Sequence, residues 1–253
     1  PVTDKIIGSN SHISVISSNY TKNKKLLMTD YNSLVGSINL VDGVVGVLPV
    51  VKGQVMGAHK GKNAGVEVFG IKPEDLFLIS GVSNPEFSQG NILEFRNGVA
   101  IGSGIARNLN LKIGDKISLL SFDGIKTAFG VAPRVSEFSV NYIFRVGRYD
   151  IDSTRIYMPL NAAQVYFNKE SGVDQLDVIL SQPTSVDDAK LNIEKILGNQ
   201  YLLWSWKDAS SAFLNALDVE RRVMLTILSL VILIASLNII SGLVMLVKNK
   251  RRD

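Results

Sequence analysis

The sequence contains no cysteine and only two histidines, His12 and His59. The first absence removes disulfides, thiol nucleophiles and thiolate metal sites together. The two imidazoles lie far apart in sequence with no carboxylate pattern beside either, so neither a metal site nor a cofactor is expected. His12 reads as an ordinary strand residue. Catalytic groupings are just as sparse. Gly102-Ser103-Gly104 lacks the spacing of a nucleophile elbow or a dinucleotide fingerprint, and no set of nucleophile, base and acid stands out, so the chain is expected to be non-catalytic. Residues 57–63 (GAHKGKN) imitate a phosphate loop. They are one residue short, end in Asn, and lie between two predicted strands instead of before a helix. A Gly-rich hairpin turn is the better reading.

Charge is missing altogether from residues 223–247, a run of 25 residues. As a helix this run would extend roughly 37 Å, enough to cross a bilayer core with some tilt. Residues 248–253 follow with four positive charges and one negative, leaving a net charge of +1 for residues 1–247. A basic cluster of this kind stays on the cytoplasmic side of a membrane, although Arg221 and Arg222 flank the other end. A near-neutral segment before the helix argues against nucleic acid as a partner. The chain starts Pro1-Val2-Thr3, with no apolar leader in front of the large segment. An upstream segment is therefore expected to carry residues 1–222 across the membrane, the whole being part of a larger membrane protein.

Patterning over residues 1–222 predicts an α+β domain. Residues 12–17 alternate as a strand. Thr29 or Asp30 can cap a helix to about Leu40, with Leu34, Ile38 and Val41 on one face. Residues 44–51 are a β-branched run interrupted by Pro49, which predicts an edge or a bulge. A second strand–helix–strand unit spans residues 176–206; its helix starts at Ser185, carries Asp187 and Asp188 in the first turn, and has Leu191, Ile193, Ile196 and Leu197 as apolar positions. The two units could share one sheet near the membrane, the β-rich middle being an insertion with strands near residues 50–56, 66–71, 99–101, 116–120, 138–144 and 155–158. Short helices are expected at 104–109 and 161–167. The boundaries are then a porter-like part in two pieces (1–70 and 172–207), a distal β-rich insertion (71–171), a stalk helix (208–222) continuous with the spanning helix (223–247), and a cytoplasmic end (248–253).

Two places stand out as candidate sites. Residues 122–133 join two predicted strands with about a dozen residues, longer than usual for a hairpin. Phe122, Ile125, Phe129 and Val131 are spaced there by Asp123, Gly124, Lys126 and Gly130, and the stretch is closed by Pro133 and Arg134. A protruding docking arm and a hairpin folded back on its own sheet fit these residues equally well. In the apolar run, Ser229 and Ser236 fall on one side at a spacing of seven, while Asn238, Ser241 and Gly242 cluster on another. Small and polar residues mark helix–helix contacts in lipid; the alternative is that they satisfy their own backbone. Met224, Leu228 and Ile232 complete the expected lipid or helix-packing set.

Several stretches carry a family resemblance. They are Ser11-His12-Ile13, Phe69-Gly70-Ile71-Lys72-Pro73, residues 104–118 (GIARNLNLKIGDKIS), 130–144 (GVAPRVSEFSVNYIF), 149–160 (YDIDSTRIYMPL) with Ala163-Gln164, and 206–224 (WKDASSAFLNALDVERRVM). In this order the chain resembles the permease subunits of the bacterial lipoprotein-releasing ABC transporter, the LolC/LolE family, with a MacB-like periplasmic core domain. The resemblance implies a four-helix permease with a large periplasmic domain between its first and second spanning helices. It implies that residues 122–133 occupy the place of the hook-like loop that captures a soluble lipoprotein carrier, and that Arg134 is a partial match to a carrier-contacting basic position. It also implies a separate cytoplasmic ATPase, a second permease copy or paralogue, and acylated lipoproteins as cargo. Two other readings stand beside it: a permease that transmits force to envelope partners without moving cargo, and a membrane-anchored periplasmic binding domain.

Overall fold

The structure, a computed structural model, describes residues 10–18, 27–127, 130–209 and 211–250; the side chains of residues 122–132, 211–218 and 242–250 lie outside that description. The chain divides after Trp206 into two compact units. In chain order the first unit contains β1 (Ile13–Ser17), α1 (Tyr31–Asn39), β2 (Val44–His59), β3 (Lys62–Ile71), β4 (Phe87–Gly90), β5 (Val99–Gly102) and α2 (Ser103–Leu109). It continues with β6 (Lys116–Thr127), β7 (Gly130–Arg145), β8 (Arg155–Pro159), α3 (Leu160–Tyr166), β9 (Gln175–Leu180), α4 (Val186–Leu197) and β10 (Tyr201–Ser205). The second unit holds α5 (Ser211–Lys250). The α+β class is as expected from the sequence.

The two strand–helix–strand units interleave. The sheet order begins β10-β1-β9-β2, with β9 antiparallel to both β1 and β2, so each unit places a strand between the two strands of the other. This is a split βαβ arrangement, and its pairing runs between residues more than 160 positions apart, such as Ile13 and Val178. Both helices pack on one face: Ile13, Val15, Val47 and Val178 of the strands share one buried cluster with Ile38, Val186 and Ile193 of α1 and α4. The buried stripe of α4 is Val186, Ala189, Ile193 and Leu197. Leu191 and Ile196, expected to be core positions, are instead exposed. The helix turns on the spacing three, four, four, which leaves both outside the buried arc.

β2 is the strand common to both parts of the sheet. At 16 residues it extends about 50 Å, pairing with β9 up to Val50 and with β3 from Val51 onward. Pro49 therefore sits where β2 has a partner on one side only, and its missing N–H leaves no ladder bond unmade. The β2–β3 connection over residues 57–63 is a hairpin whose turn residues Lys60 and Gly61 both have positive φ (45° and 80°), the conformation of a primed two-residue turn. Beyond it the sheet continues β3-β8-β5-β7-β4, with β6 pairing to β2 and β7. On the face opposite α1 and α4 a second core gathers Phe69, Tyr157, Phe144 and Tyr142, with successive ring centroids 5.8, 5.7 and 6.4 Å apart. Gly102 and Gly104 close against residue 152: a Cβ on either would fall 2.3 or 2.7 Å from the Asp152 carbonyl oxygen. Close packing, not chemistry, accounts for that glycine pair.

Candidate functional site

β6 and β7 leave the sheet together. β6 pairs with β2 at Ser118, Leu119 and Leu120, while β7 pairs with β5 and β4 only from Val140 onward. Past those points the two strands pair with each other, down to Lys126 opposite Val131 and Thr127 opposite Gly130. The product is a two-stranded ribbon with no third strand beside it among the described residues. The connection over residues 122–133, expected to be about a dozen residues long, is much shorter, because the β6–β7 ladder continues almost to the tip. Its irregularity falls where Phe122, Asp123 and Gly124 of β6 face Pro133 alone. Extra residues on one strand bend and twist a ribbon, and a proline opposite them has no donor to waste. Ile125 is paired with Ala132; Phe129 lies outside the described residues.

The base of the ribbon is anchored inward. Arg134 donates through Nη1 to the carbonyl oxygens of Val165 and, at 2.9 Å, Tyr166. These carbonyls close α3, where the negative end of the helix dipole favours a cation. Tyr166 packs edge-on against Phe138 of β7 (5.8 Å) and Phe167 (4.8 Å). Burial pushes the Tyr166 hydroxyl up to about 12, with Arg134 acting partly against it, so the phenol stays neutral. α3 in turn seats tightly on β3: a Cβ at Gly70 would lie 2.1 Å from that of Ala163.

α5 is 40 residues long, and its segment Val219–Ser241 is long and apolar enough to cross a membrane. Every side chain in that segment is exposed, the reverse of a soluble core helix. Met224, Leu228 and Ile232 all lie on this exposed stretch, as do Asn238 and Ser241. The hydroxyls of Ser229 and Ser236 donate to the carbonyls of Thr226 and Ile232 within the same helix, each at 2.8 Å. Their polarity is therefore met locally and does not require a neighbouring helix. Gly242 belongs to α5, but what surrounds it is not described. Ahead of α5 a short helix covers Trp206–Ala209; Ser210, which the expected unbroken stalk would include, lies outside the described residues.

Two polar features escaped sequence reasoning. Asp177 is buried and accepts from Ser14 Oγ at 2.7 Å and Gln175 Nε2 at 2.8 Å. Burial pushes its carboxyl up, opposed by these hydrogen bonds and by Lys52. His12 is also buried and is bonded to β9 and to Trp206. A histidine at the head of a short alternating strand looks the same in sequence whether its ring is solvated or bonded, so no local signal could have marked it. Among the described residues no cluster of His, Asp or Glu could hold a metal ion.

A family model described as the MacB-like periplasmic core domain matches residues 2–196. Among curated proteins, the chain is similar to the lipoprotein-releasing system transmembrane protein LolC of Neisseria meningitidis, 26% identical over 89% of this chain and 55% of that protein. It is also similar to the lipoprotein-releasing system transmembrane protein LolE of Haemophilus influenzae, 26% identical over 83% of this chain and 51% of that one. The chain thus spans about half the length of these relatives. Among solved structures, the periplasmic region of MacB from Actinobacillus actinomycetemcomitans superposes with a TM-score of 0.54 at 13% identity, covering 84% of this chain and 96% of that one. That likeness speaks for the fold alone.

Proposed function

Because the chain belongs to the MacB-like periplasmic core domain family, we propose that it is the outer domain and second spanning helix of an ABC-transporter permease subunit. This permease extracts outer-membrane-directed lipoproteins from the inner membrane and passes them to a periplasmic carrier. The observation that carries the reading is the similarity to LolC over 89% of the chain. In this reading residues 1–222 face the periplasm, α5 crosses the inner membrane, and the basic end at 248–253 is cytoplasmic. Residues 1–70 and 172–207 form the membrane-proximal porter-like part and 71–171 the distal part. The permease pairs with a second copy or paralogue, and a separate cytoplasmic subunit hydrolyses ATP.

The chemistry of the cargo explains why both parts are needed. Three sixteen-carbon acyl chains contain roughly 45 methylenes, and at about 0.8 kcal/mol each their exposure to water would cost tens of kcal/mol. Extraction therefore needs an external energy source and an apolar receiver brought close to the exit. α5 supplies an apolar wall on the membrane side. The ribbon built from β6 and β7 supplies a two-stranded arm for the carrier, with the apolar residues Phe122, Ile125 and Val131 in its strands beyond the point where β6 leaves β2. Anchoring Arg134 into α3 fixes the base of that arm, so that capture does not have to order it.

Photo-crosslinking from Phe122, Ile125 or Phe129 in the full-length permease tests the docking role. An adduct with the periplasmic carrier is expected from at least one position. A complete absence of adducts, with the permease folded and assembled, removes the ribbon from carrier capture.

A further inference from the structure

The apolar stretch of α5 carries its polar groups on two different sides. At about 100° per residue, Ser229 and Ser236 lie within about 20° of each other, while Asn238 is about 180° from the first and about 160° from the second. The two sides also differ in how their polarity is met. Thr226, Ser229 and Ser236 each donate to a carbonyl of their own helix at 2.8 Å. The Asn238 amide has no hydrogen bond among the described residues. A hydroxyl has one proton and reaches its own helix by rotating. An amide presents two N–H donors and an acceptor, and cannot turn all of them onto one backbone. Asn238 stands three residues past the middle of the uncharged run 223–247, about 4–5 Å along the axis. No water is at hand at that depth to supply the missing bonds.

Counted from Asn238 in steps of three and four, the same side of the helix presents Val231, Ile234 and Ser241, all exposed. Val231 and Asn238 are seven apart, as are Ile234 and Ser241, which is the spacing of the a and d seam of a left-handed helix pair. A lone Asn at an a position selects its partner. In a parallel pair it lies opposite its own counterpart, and an amide, donor and acceptor at once, is complementary to itself across a twofold axis. Two copies inserted in the same sense in one membrane are parallel, and the small Ser241 one turn on lets their backbones approach. We propose that α5 packs against α5 of a second copy through the side bearing Asn238, the two amides hydrogen-bonding to each other inside the hydrocarbon layer. The Ser229–Ser236 side takes no part in this contact. The pairing deepens the permease reading above, on which the presence of two copies in one transporter rests.

This chain has no cysteine, so single cysteines placed in α5 report which side makes the contact. Val231→Cys and Ser229→Cys lie within about 3 Å of the same depth but on nearly opposite sides of the helix, so an oxidant reaches both alike. In the full-length permease, with any cysteine outside this chain replaced, oxidation in native membranes should link Val231→Cys into a dimer and leave Ser229→Cys monomeric. Adding Asn238→Leu to Val231→Cys should lower the dimer yield severalfold at equal amounts of protein in the membrane. Adding Asn238→Gln, which keeps the amide, should lower it less. Absence of the Val231→Cys dimer, equal yields from the two sites, or a yield unmoved by Asn238→Leu would each overturn the proposal. So would a photo-crosslinker at Val231 that captures only a different polypeptide. Lipoprotein release by the parent, measured alongside, separates the two readings. Release without the Val231→Cys dimer removes this pairing and leaves the permease; the dimer without release removes the permease and leaves the pairing.

Discussion

Adding one methyl group at Gly70 should unseat α3 and, with it, the anchor of the ribbon. The new Cβ would lie 2.1 Å from the Ala163 Cβ, whereas non-bonded carbons rest about 3.5–4.0 Å apart. α3 must then retreat by about 1.5 Å, and neither atom can swing aside because both are fixed to backbone. Overpacking of this kind typically costs about 1–3 kcal/mol, and the rigid geometry places Gly70→Ala towards the upper end. Ala163→Gly alone costs about 1 kcal/mol in helix propensity. If the two changes were independent, the double variant would be destabilised by their sum, near 4 kcal/mol by the same estimates. Because the second change removes the atom the first collides with, the double variant should instead lose only about 1–2 kcal/mol, a coupling of roughly 2 kcal/mol. Equilibrium denaturation of the full chain in detergent, followed by the fluorescence of Trp204 and Trp206, measures all three. Additive losses would refute the packing argument, because they would mean that β3 and α3 are not in contact at this point. Carrier crosslinking from the ribbon should drop in Gly70→Ala and return in the double variant.

Asp75 offers a pH test. Burial pushes its carboxyl from 3.8 up to about 6, against the pull of Lys72 and with a push from Glu74, and its Oδ2 has no hydrogen-bond partner among the described residues. The folded chain thus holds this proton between about pH 4 and 6 while the unfolded chain releases it, so stability falls as pH rises through that window. Asp75→Asn should raise stability at pH 7.5 by about 1–2 kcal/mol, less than the full shift implies because the group is only half-buried, and should give no gain at pH 4; thermal unfolding at the two pH values checks both. Arg134→Lys should lower carrier crosslinking from Ile125 severalfold with at most about 1–2 kcal/mol lost in stability, since a lysine keeps the charge but is one atom shorter and does not bring a nitrogen to the place where Nη1 meets both α3 carbonyls; unchanged crosslinking would show that the ribbon needs no anchor. A tag placed after Asp253 should be shielded from periplasmic labelling reagents in intact cells, and labelling there would reverse the proposed orientation of α5.

Much of this protein could be read locally. The apolar helix followed from an uncharged run, because crossing a bilayer is a matter of length and composition. Strands such as Gln175–Leu180 and the hairpin at residues 57–63 followed from short apolar runs and from turn residues, both local properties. The misread positions share a cause. Leu191 and Ile196 are as apolar as Ile193, and only the surface beneath α4 decides which of them it covers. The ribbon was read as a loop because its glycines and Pro133 look like breakers, while the ladder that overrides them depends on register with the opposite strand.

What the sequence determined alone was which segments can be helix or strand and which one is long and apolar enough to cross a membrane. The tertiary structure decided who pairs with whom: β9 slotted between β1 and β2, Arg134 turned to the end of α3, and His12 joined to Leu180 and Trp206. Periodicity records the face a residue shares with its near neighbours. It is blind to a hydrogen bond closed across 168 or 194 positions, since that partner is supplied by the whole sheet once it has formed.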